Sequence, residues 1–216
     1  MADYKSGIYI KKPASYFHGN RSDVVALIPG ANNRILELGC GAGMTLQSAR
    51  QAGKASDIIG IDIIGRLPEH DLLTNYYQGD IDSLPLDMER ESFDVALCAD
   101  VLEHLVDPWN TLKKLAVLLK PGGILIVSIP NARDYTLALK LLFTGDFQYR
   151  DEGLLDKGHL RFFCKKNMEH LVRQAGFEVI LFDFRLQKLR KLLNYLTCGL
   201  LEQFLVKQYL IVARKS

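Results

Sequence analysis

The sequence predicts an α/β protein with a doubly wound, mostly parallel sheet, and three observations support this prediction. Short apolar runs alternate with longer segments of helical spacing, as in sheets that helices cover on both faces. Acidic residues follow several of the apolar runs, and a glycine-rich turn, Gly39–Gly43, joins the first run to a helical segment. The length of 216 residues suits one core, so we expect a single domain over 1–216.

The elements of the first half follow from these runs. The strand candidates are β-branched or apolar, and they are 34–38, 57–62, 75–78, 93–98 and 123–129. Helical spacing predicts helices over 44–52 and 108–119, the second beginning after Asp107 with proline at its first position. Strand and helix in alternation imply right-handed crossovers between parallel neighbours.

The C-terminal half is predicted to add a helix over 165–175, a strand over 177–184 and a last strand over 208–212. Between the last two, the leucine-rich stretch 186–206 has the spacing of an amphipathic helix. Its apolar face favours core packing or a dimer contact, and the choice between monomer and homodimer stays open. Peripheral membrane contact is a further hypothesis, which liposome flotation can reject.

Composition and charge exclude several classes of function. A formal net charge of +2 gives no electrostatic reason to expect a nucleic-acid partner. The four cysteines are far apart and the histidines are not clustered, so neither a metal site nor a disulfide framework is predicted. Residues 1–5 lack the apolar core of a secretory signal, and no apolar run reaches membrane-spanning length. A cytoplasmic location is therefore expected.

The strongest functional pattern is the run ELGCGAG at Glu37–Gly43. A buried strand ends at an acidic residue, alternate glycines follow, and a helix begins at once. Glycine lets a ligand approach the backbone, and the helix N-terminus offers unpaired N–H groups to an anionic group. Two ligands suit this turn. A dinucleotide would place its pyrophosphate there, although Met44 replaces its usual third glycine. S-adenosylmethionine would place its ammonium group near Glu37.

Further acidic residues end the neighbouring strands and favour an adenosine ligand. Asp62 ends the second strand, where a carboxylate can accept both ribose hydroxyls, and Ile63 can pack on the adenine. Asp80 follows the third strand candidate and can accept from the adenine amino group. The cofactor-binding residues predicted at this edge of the sheet are Glu37, Gly39, Cys40, Gly41, Gly43, Asp62, Ile63, Asp80, Ile81 and Ala99.

These motifs resemble those of the class I S-adenosylmethionine-dependent methyltransferases. The run Glu37–Gly43 resembles their first motif, and residues 60–62 resemble the acidic end of their second strand. Residues 79–86 resemble their adenine loop, and residues 118–123 resemble the turn before their fifth strand. The resemblance implies a Rossmann-like, three-layer sheet of seven strands in the order 3-2-1-4-5-7-6, with the last strand antiparallel. It also implies S-adenosyl-L-methionine as the cofactor and a small molecule as the methyl acceptor.

A narrower resemblance lies downstream, in 128–131, 153–156 and 158–163. These runs are similar to a subfamily often found with glycan and glycosyltransferase genes. The resemblance implies that residues 131–164 cover the acceptor, and that the acceptor is a hydroxyl of a saccharide or a lipid-linked glycan. The segment 1–33 is expected to fold over the cofactor.

Two histidines are the candidate catalytic residues. Histidine suits general-base catalysis because its usual pKa lies near neutrality. His104 follows the fourth strand at the edge of the sheet, and His159 lies in the segment that resembles the acceptor cover. A packing or capping role for His104 and a loop-ordering role for His159 remain alternatives.

Two other functions remain open at this stage. A nicotinamide-dependent oxidoreductase would bind NADH but not S-adenosylhomocysteine. A regulatory domain would bind S-adenosylmethionine but transfer no methyl group to any member of an acceptor library.

Overall fold

The computed structural model describes Gly7, Tyr9 and residues 12–216, so the prediction made from residues 1–5 lies outside the described residues. Its sheet has seven strands in the order β3-β2-β1-β4-β5-β7-β6, which confirms the predicted topology. The strands are β1 Asn33–Leu38, β2 Ala55–Asp62, β3 Asn75–Gln78, β4 Phe93–Ala99, β5 Leu119–Pro130, β6 Phe177–Asp183 and β7 Gln208–Lys215.

Helices connect these strands on both faces of the sheet. They are α1 Ala14–Phe17, α2 Ser22–Leu27, α3 Met44–Gln51, α4 Pro108–Leu118, α5 Tyr135–Thr144, α6 Lys165–Gln174, α7 Lys188–Leu196 and α8 Glu202–Leu205. Two short 3-10 turns, Pro68–Leu72 and Leu102–His104, lie in the loops after β2 and β4. Helix α4 begins as predicted, because the Asp107 side chain accepts from the backbone N–H of Asn110 at 3.0 Å.

The middle of the sheet is buried on both faces. β1 pairs in parallel with β2 and β4, whereas β7 runs antiparallel between β5 and β6. Alternate side chains of β1 enter different layers of the core: Leu36 and Leu38 pack on one side and Ile35 on the other. By the same alternation Glu37 lies on the side of Ile35, and its side chain is 2% exposed. The sheet therefore carries a buried acidic side chain near the carboxyl end of its central strand.

The predicted helix over 186–206 differs from the structure, which contains two shorter helices, α7 and α8. Between them Cys198 and Gly199 have φ values of 48° and 80°, a left-handed conformation that ends a helix. Several apolar side chains of α7 and this turn do not reach the core: Leu189, Leu192, Leu196 and Leu200 are exposed by more than half. Core packing therefore does not account for this apolar face, and dimer or membrane contact stays a prediction.

Strand β5 also begins earlier than predicted, at Leu119 rather than Gly123. The Pro-Gly-Gly run that favours a turn lies within the strand as an irregularity, where the pairing with β4 shifts between Phe93 and Val95. Among the described residues, no helix is both long and apolar enough to cross a bilayer.

Candidate active site

A cavity of about 250 Å³ lies at the carboxyl ends of β1, β2 and β4. Strand ends at such a crossover edge are where ligands bind in doubly wound sheets. With the exception of Gly43, every predicted cofactor-binding residue lines it. These residues are Glu37, Gly39, Cys40, Gly41, Asp62, Ile63, Asp80, Ile81 and Ala99. Gly43 instead starts helix α3 at a φ of 77°, with Leu73 packed against it.

Glu37 presents an unusual group to this cavity. Its side chain is 2% exposed, and its Oε2 atom has no hydrogen-bond partner in the part of the chain that the structure describes. Burial, and then the nearby Asp62 carboxylate, raise its pKa well above the usual range. A buried carboxyl without a partner is costly, so this position favours a ligand that brings a cationic donor.

The glycine turn is held from two sides. Asp62 accepts from the N–H of Gly41 at 2.7 Å and from that of Ile64 at 3.2 Å. On the other side the carbonyl oxygen of Phe17 accepts from the N–H of Ala42 at 2.8 Å. A Cβ atom at Gly41, which has a φ of 52°, would lie 2.5 Å from that oxygen. Only glycine allows this close contact between the turn and the N-terminal segment.

The N-terminal segment contributes cavity residues that were not predicted individually. Tyr9, Tyr16, Phe17 and Arg21 all line the cavity. Arg21 donates to Asp23 at 2.9 Å and to the Ser128 hydroxyl at 3.1 Å. The described part of the segment 1–33 therefore lies against the cavity. That it covers a bound cofactor stays a prediction.

Asp100 is a second residue that the sequence analysis did not assign. Asp100 directly follows β4, in the same way that Asp62 ends β2. An acidic residue at a strand end was therefore the sequence signal that could have identified it. Its carboxylate accepts from Arg21, Ser128 and Gln208, with the Ser128 contact at 3.2 Å. Asp100 has a φ of 57°, which turns its side chain toward these partners at the end of the sheet.

His104 and His159 lie side by side, with ring centroids 4.7 Å apart. His104 lines the cavity and is 8% exposed. Its Nδ1 atom lies 2.9 Å from the carbonyl oxygen of Gly158, and Nδ1 of His159 lies 2.9 Å from that of Leu154. Since a carbonyl oxygen can only accept, both Nδ1 atoms carry the proton and donate. Each neutral imidazole therefore keeps a free lone pair on Nε2.

Glu103 completes this cluster of side chains. The sequence alone did not identify Glu103 as a site residue. Its carboxylate is 2% exposed, and neither of its oxygens has a hydrogen-bond partner among the described residues. The nearest approach to His159 is 4.0 Å, from Nε2 to Oε1. Burial raises the pKa of Glu103, with the Asp100 carboxylate as the next cause. Burial and then the adjacent His159 lower the pKa of His104 to about 4, and burial lowers that of His159.

The segment 131–164 brings His159 to this position. The carbonyl oxygen of Glu103 accepts from the N–H groups of Leu160 and Arg161 at 2.8 and 3.0 Å. Arg161 also donates through Nη2 to the carbonyl oxygen of Val106 at 2.5 Å. These bonds fasten the segment to the turn that follows β4.

The comparisons with known proteins agree on one family. The family model of a methyltransferase domain matches residues 16–181. The ubiquinone biosynthesis O-methyltransferase of Hydrogenovibrio crunogenus is 31% identical over 156 residues, which cover 67% of this chain and 62% of that protein. That of Acinetobacter baylyi is 29% identical over 161 residues, which cover 69% and 65%. The chain thus spans less than two thirds of the length of these relatives.

Solved structures share the fold at low sequence identity. An S-adenosylmethionine-dependent methyltransferase from Mesorhizobium loti has a TM-score of 0.64 and 17% identity, covering 90% of this chain and 96% of that one. The 1,6-didemethyltoxoflavin-N1-methyltransferase of Burkholderia thailandensis, solved with S-adenosylhomocysteine, has a TM-score of 0.66 and 15% identity, covering 99% and 86%.

Proposed function

This chain belongs to the methyltransferase domain family, and from that premise we propose that it is an S-adenosylmethionine-dependent O-methyltransferase of a small molecule. The observation that carries the proposal is the buried Glu37, whose Oε2 atom has no partner among the described residues, beside a glycine turn and the strand-end acid Asp62, all on one cavity. A cationic adenosyl ligand satisfies these groups together. A dinucleotide would bring a negative charge next to Glu37, and we therefore reject the oxidoreductase alternative.

The residues of the cavity fit this cofactor. Glu37 would accept from its ammonium group, the N–H groups of the turn after Gly39 would face its carboxylate, and Asp62 would accept from its ribose hydroxyls. Ile63, Asp80 and Ile81, which line the same cavity, would hold the adenine. The bound cofactor supplies a methyl group already activated on a sulfonium. The chain itself then needs only to hold an acceptor in line with that group and to remove its proton.

We assign activation of the acceptor hydroxyl to His104 and His159. His104 lines the cavity, and the fastened segment 131–164 places His159 next to it. The segment also carries an aromatic cluster next to His159: the Phe162 ring lies 6.4 Å from that of His159 and 5.6 Å from that of Phe147. An acceptor bound beside His159 would meet these rings, which favour a flat or apolar ring face.

The acceptor class is the finer part of the proposal. The names of the curated relatives, which refer to O-methylation in ubiquinone biosynthesis, favour a hydroxyl on an aromatic ring. The saccharide acceptor predicted from the narrower resemblance has no support from these relatives. Both classes belong in one acceptor library, so that the same assay decides between them.

The test is methyl transfer from labelled cofactor, measured after calorimetry with S-adenosylhomocysteine and with NADH. We expect S-adenosylhomocysteine to bind and NADH not to bind, and label to appear on phenolic acceptors. Binding without transfer to any acceptor would favour the regulatory alternative. Binding of NADH alone would overturn the proposal.

Cofactor affinity is expected to rise with pH through Glu37. Burial raises the pKa of this carboxyl and so favours its protonated form in the ligand-free protein, whereas an ammonium ligand favours the carboxylate. Binding of S-adenosylhomocysteine should therefore release a proton and weaken as the pH is lowered from about 7 to about 6, a range in which an α-amino group stays largely charged. Calorimetry in buffers of different ionisation enthalpy measures the release.

The matched variant is Glu37→Gln, which keeps the shape but cannot titrate. It should bind more weakly at high pH and release no proton. Equal proton release by Glu37→Gln and the parent would assign the proton to another group and contradict the prediction.

A further inference from the structure

When Glu103 is ionised, the cluster of Glu103, His104 and His159 contains acceptors only. One ligand atom from each residue can be chosen so that all three lie within 4.8 Å of one another, and all three residues are buried. The Nε2 atoms carry lone pairs because both Nδ1 atoms donate to carbonyl oxygens. The 4.0 Å separation of Glu103 from His159 is too long for a hydrogen bond. The three groups therefore stabilise one another only if a positive species lies between them.

Two features distinguish this cluster from a chance group of polar side chains. The Glu103 carboxylate is 2% exposed, and both its oxygens are unpartnered among the residues that the structure describes. Each imidazole donates through Nδ1 to a backbone carbonyl oxygen, and this bond orients the ring so that Nε2 is left for a ligand. A metal-binding histidine usually has such a hydrogen bond on its other ring nitrogen. A buried carboxylate and two supported imidazoles are a frequent ligand set of catalytic metal ions.

We infer that Glu103, His104 and His159 bind one divalent transition-metal ion of the zinc type, beside the cavity that His104 lines. Nitrogen ligands favour such an ion over magnesium or calcium, which prefer oxygen. Bonds of about 2.1 Å require small rotations that bring the three ligand atoms closer by on the order of an ångström. Three protein ligands leave a coordination position open.

This inference rests on the proposed function for its chemical role. The open position would bind the acceptor hydroxyl and lower its pKa, so that its proton passes to solvent water. The hydroxyl oxygen then attacks the methyl carbon: the new O–CH₃ bond forms as the C–S bond breaks, and the electron pair of that bond stays on sulfur. In this arrangement His104 and His159 activate the hydroxyl through the metal ion and not as bases, since the lone pair that binds the ion cannot also take a proton.

Zinc and cobalt ions are the probes. The full chain is stripped with a chelator, and Zn²⁺ binding is measured by calorimetry and by elemental analysis after dialysis. We expect one Zn²⁺ per chain, and a Co²⁺ form with the visible absorption of a four- or five-coordinate site. Glu103→Gln and His104→Gln should each weaken Zn²⁺ binding by at least about a hundredfold. His170→Gln, which alters an exposed histidine of α6, is the matched control and should bind as the parent does.

Thermal melting without metal shows that the variants fold. Glu103→Gln should melt no lower than the parent, because it removes an unpaired buried carboxylate, and Zn²⁺ should raise the melting temperature of the parent but not of this variant. Zinc binding that is absent, or unchanged in Glu103→Gln and His104→Gln, would overturn the inference.

Cofactor binding separates this inference from the proposed function. S-adenosylhomocysteine affinity is measured on the stripped protein, where the metal plays no part. Loss of zinc binding with intact S-adenosylhomocysteine binding overturns the metal site alone. Zinc binding without S-adenosylhomocysteine binding overturns the proposed function and the catalytic role of the ion, while the site itself stands.

Discussion

Asp62→Ala is expected to weaken binding of S-adenosylhomocysteine by at least about a hundredfold. The carboxylate would accept two ribose hydroxyls, and hydrogen bonds to a charged group contribute about 1.5–3 kcal/mol each. Asp62 also accepts from the N–H of Gly41 at 2.7 Å, so its loss loosens the turn that faces the ligand. Isothermal titration calorimetry at neutral pH measures the change directly.

Asp57→Ala is the matched control for this experiment. Asp57 belongs to the same strand, but its carboxylate pairs with Arg34 at 2.9 Å near the start of β2, away from the cavity. Asp57→Ala should leave the affinity for S-adenosylhomocysteine unchanged. The affinity of Asp62→Asn should lie between that of Asp62→Ala and that of the parent. If Asp62→Ala binds S-adenosylhomocysteine as tightly as Asp57→Ala, the adenosine site does not lie where we place it.

Arg190→Met is expected to lower the free energy of unfolding by about 3–5 kcal/mol, as is typical when one partner of a buried ion pair is removed. Arg190 and Asp134 are 6% and 3% exposed and form an ion pair. The guanidinium also donates to the carbonyl oxygen of Leu205 at 2.6 Å and lies over the Tyr135 ring. Among the described residues, its removal leaves the Asp134 carboxylate buried without a cationic partner, with only the hydrogen bonds from Thr136. Urea unfolding measures the loss.

Two further variants test the cause of that loss. Arg173→Met removes an arginine from an exposed pair with Glu169 on α6, and it should cost less than about 1 kcal/mol. Asp134 also caps α5, because its Oδ1 atom accepts from the N–H of Thr136 at 3.0 Å. Adding Asp134→Asn to Arg190→Met should therefore restore much of the stability, because asparagine removes the unpaired charge and can still cap the helix. A loss in Arg190→Met no larger than in Arg173→Met would show that the buried pair contributes little.

The sequence predicted the sheet well because each central strand combines an apolar run with a local signal at its end. Leu36 and Leu38 before the glycine turn, and Asp62 after an apolar run, are patterns that need no knowledge of distant contacts. The helix predicted over 186–206 failed at Cys198 and Gly199. The glycine there was a local signal of a helix end, but the repeated leucines outweighed it.

The acceptor side of the site was less predictable for a physical reason. His159 meets Glu103 only because Leu160 and Arg161 hydrogen-bond to the Glu103 carbonyl, a contact between segments more than fifty residues apart. Metal-ligand spacing in a sequence detects ligands that share a turn or a helix, and here only Glu103 and His104 share one, the turn Leu102–His104, whereas His159 comes from a distant segment. Arg21 reaches Asp100 in the same long-range way.

The network around Asp100 also bears on the synthesis of the chain. Arg21, which precedes β1, and Gln208, which begins β7, both donate to the Asp100 carboxylate and to the Ser128 hydroxyl. A nascent polypeptide that still holds residue 208 inside the ribosome cannot close this junction. The end of the cavity that Asp100 lines is therefore completed only after β7 has emerged from the ribosome.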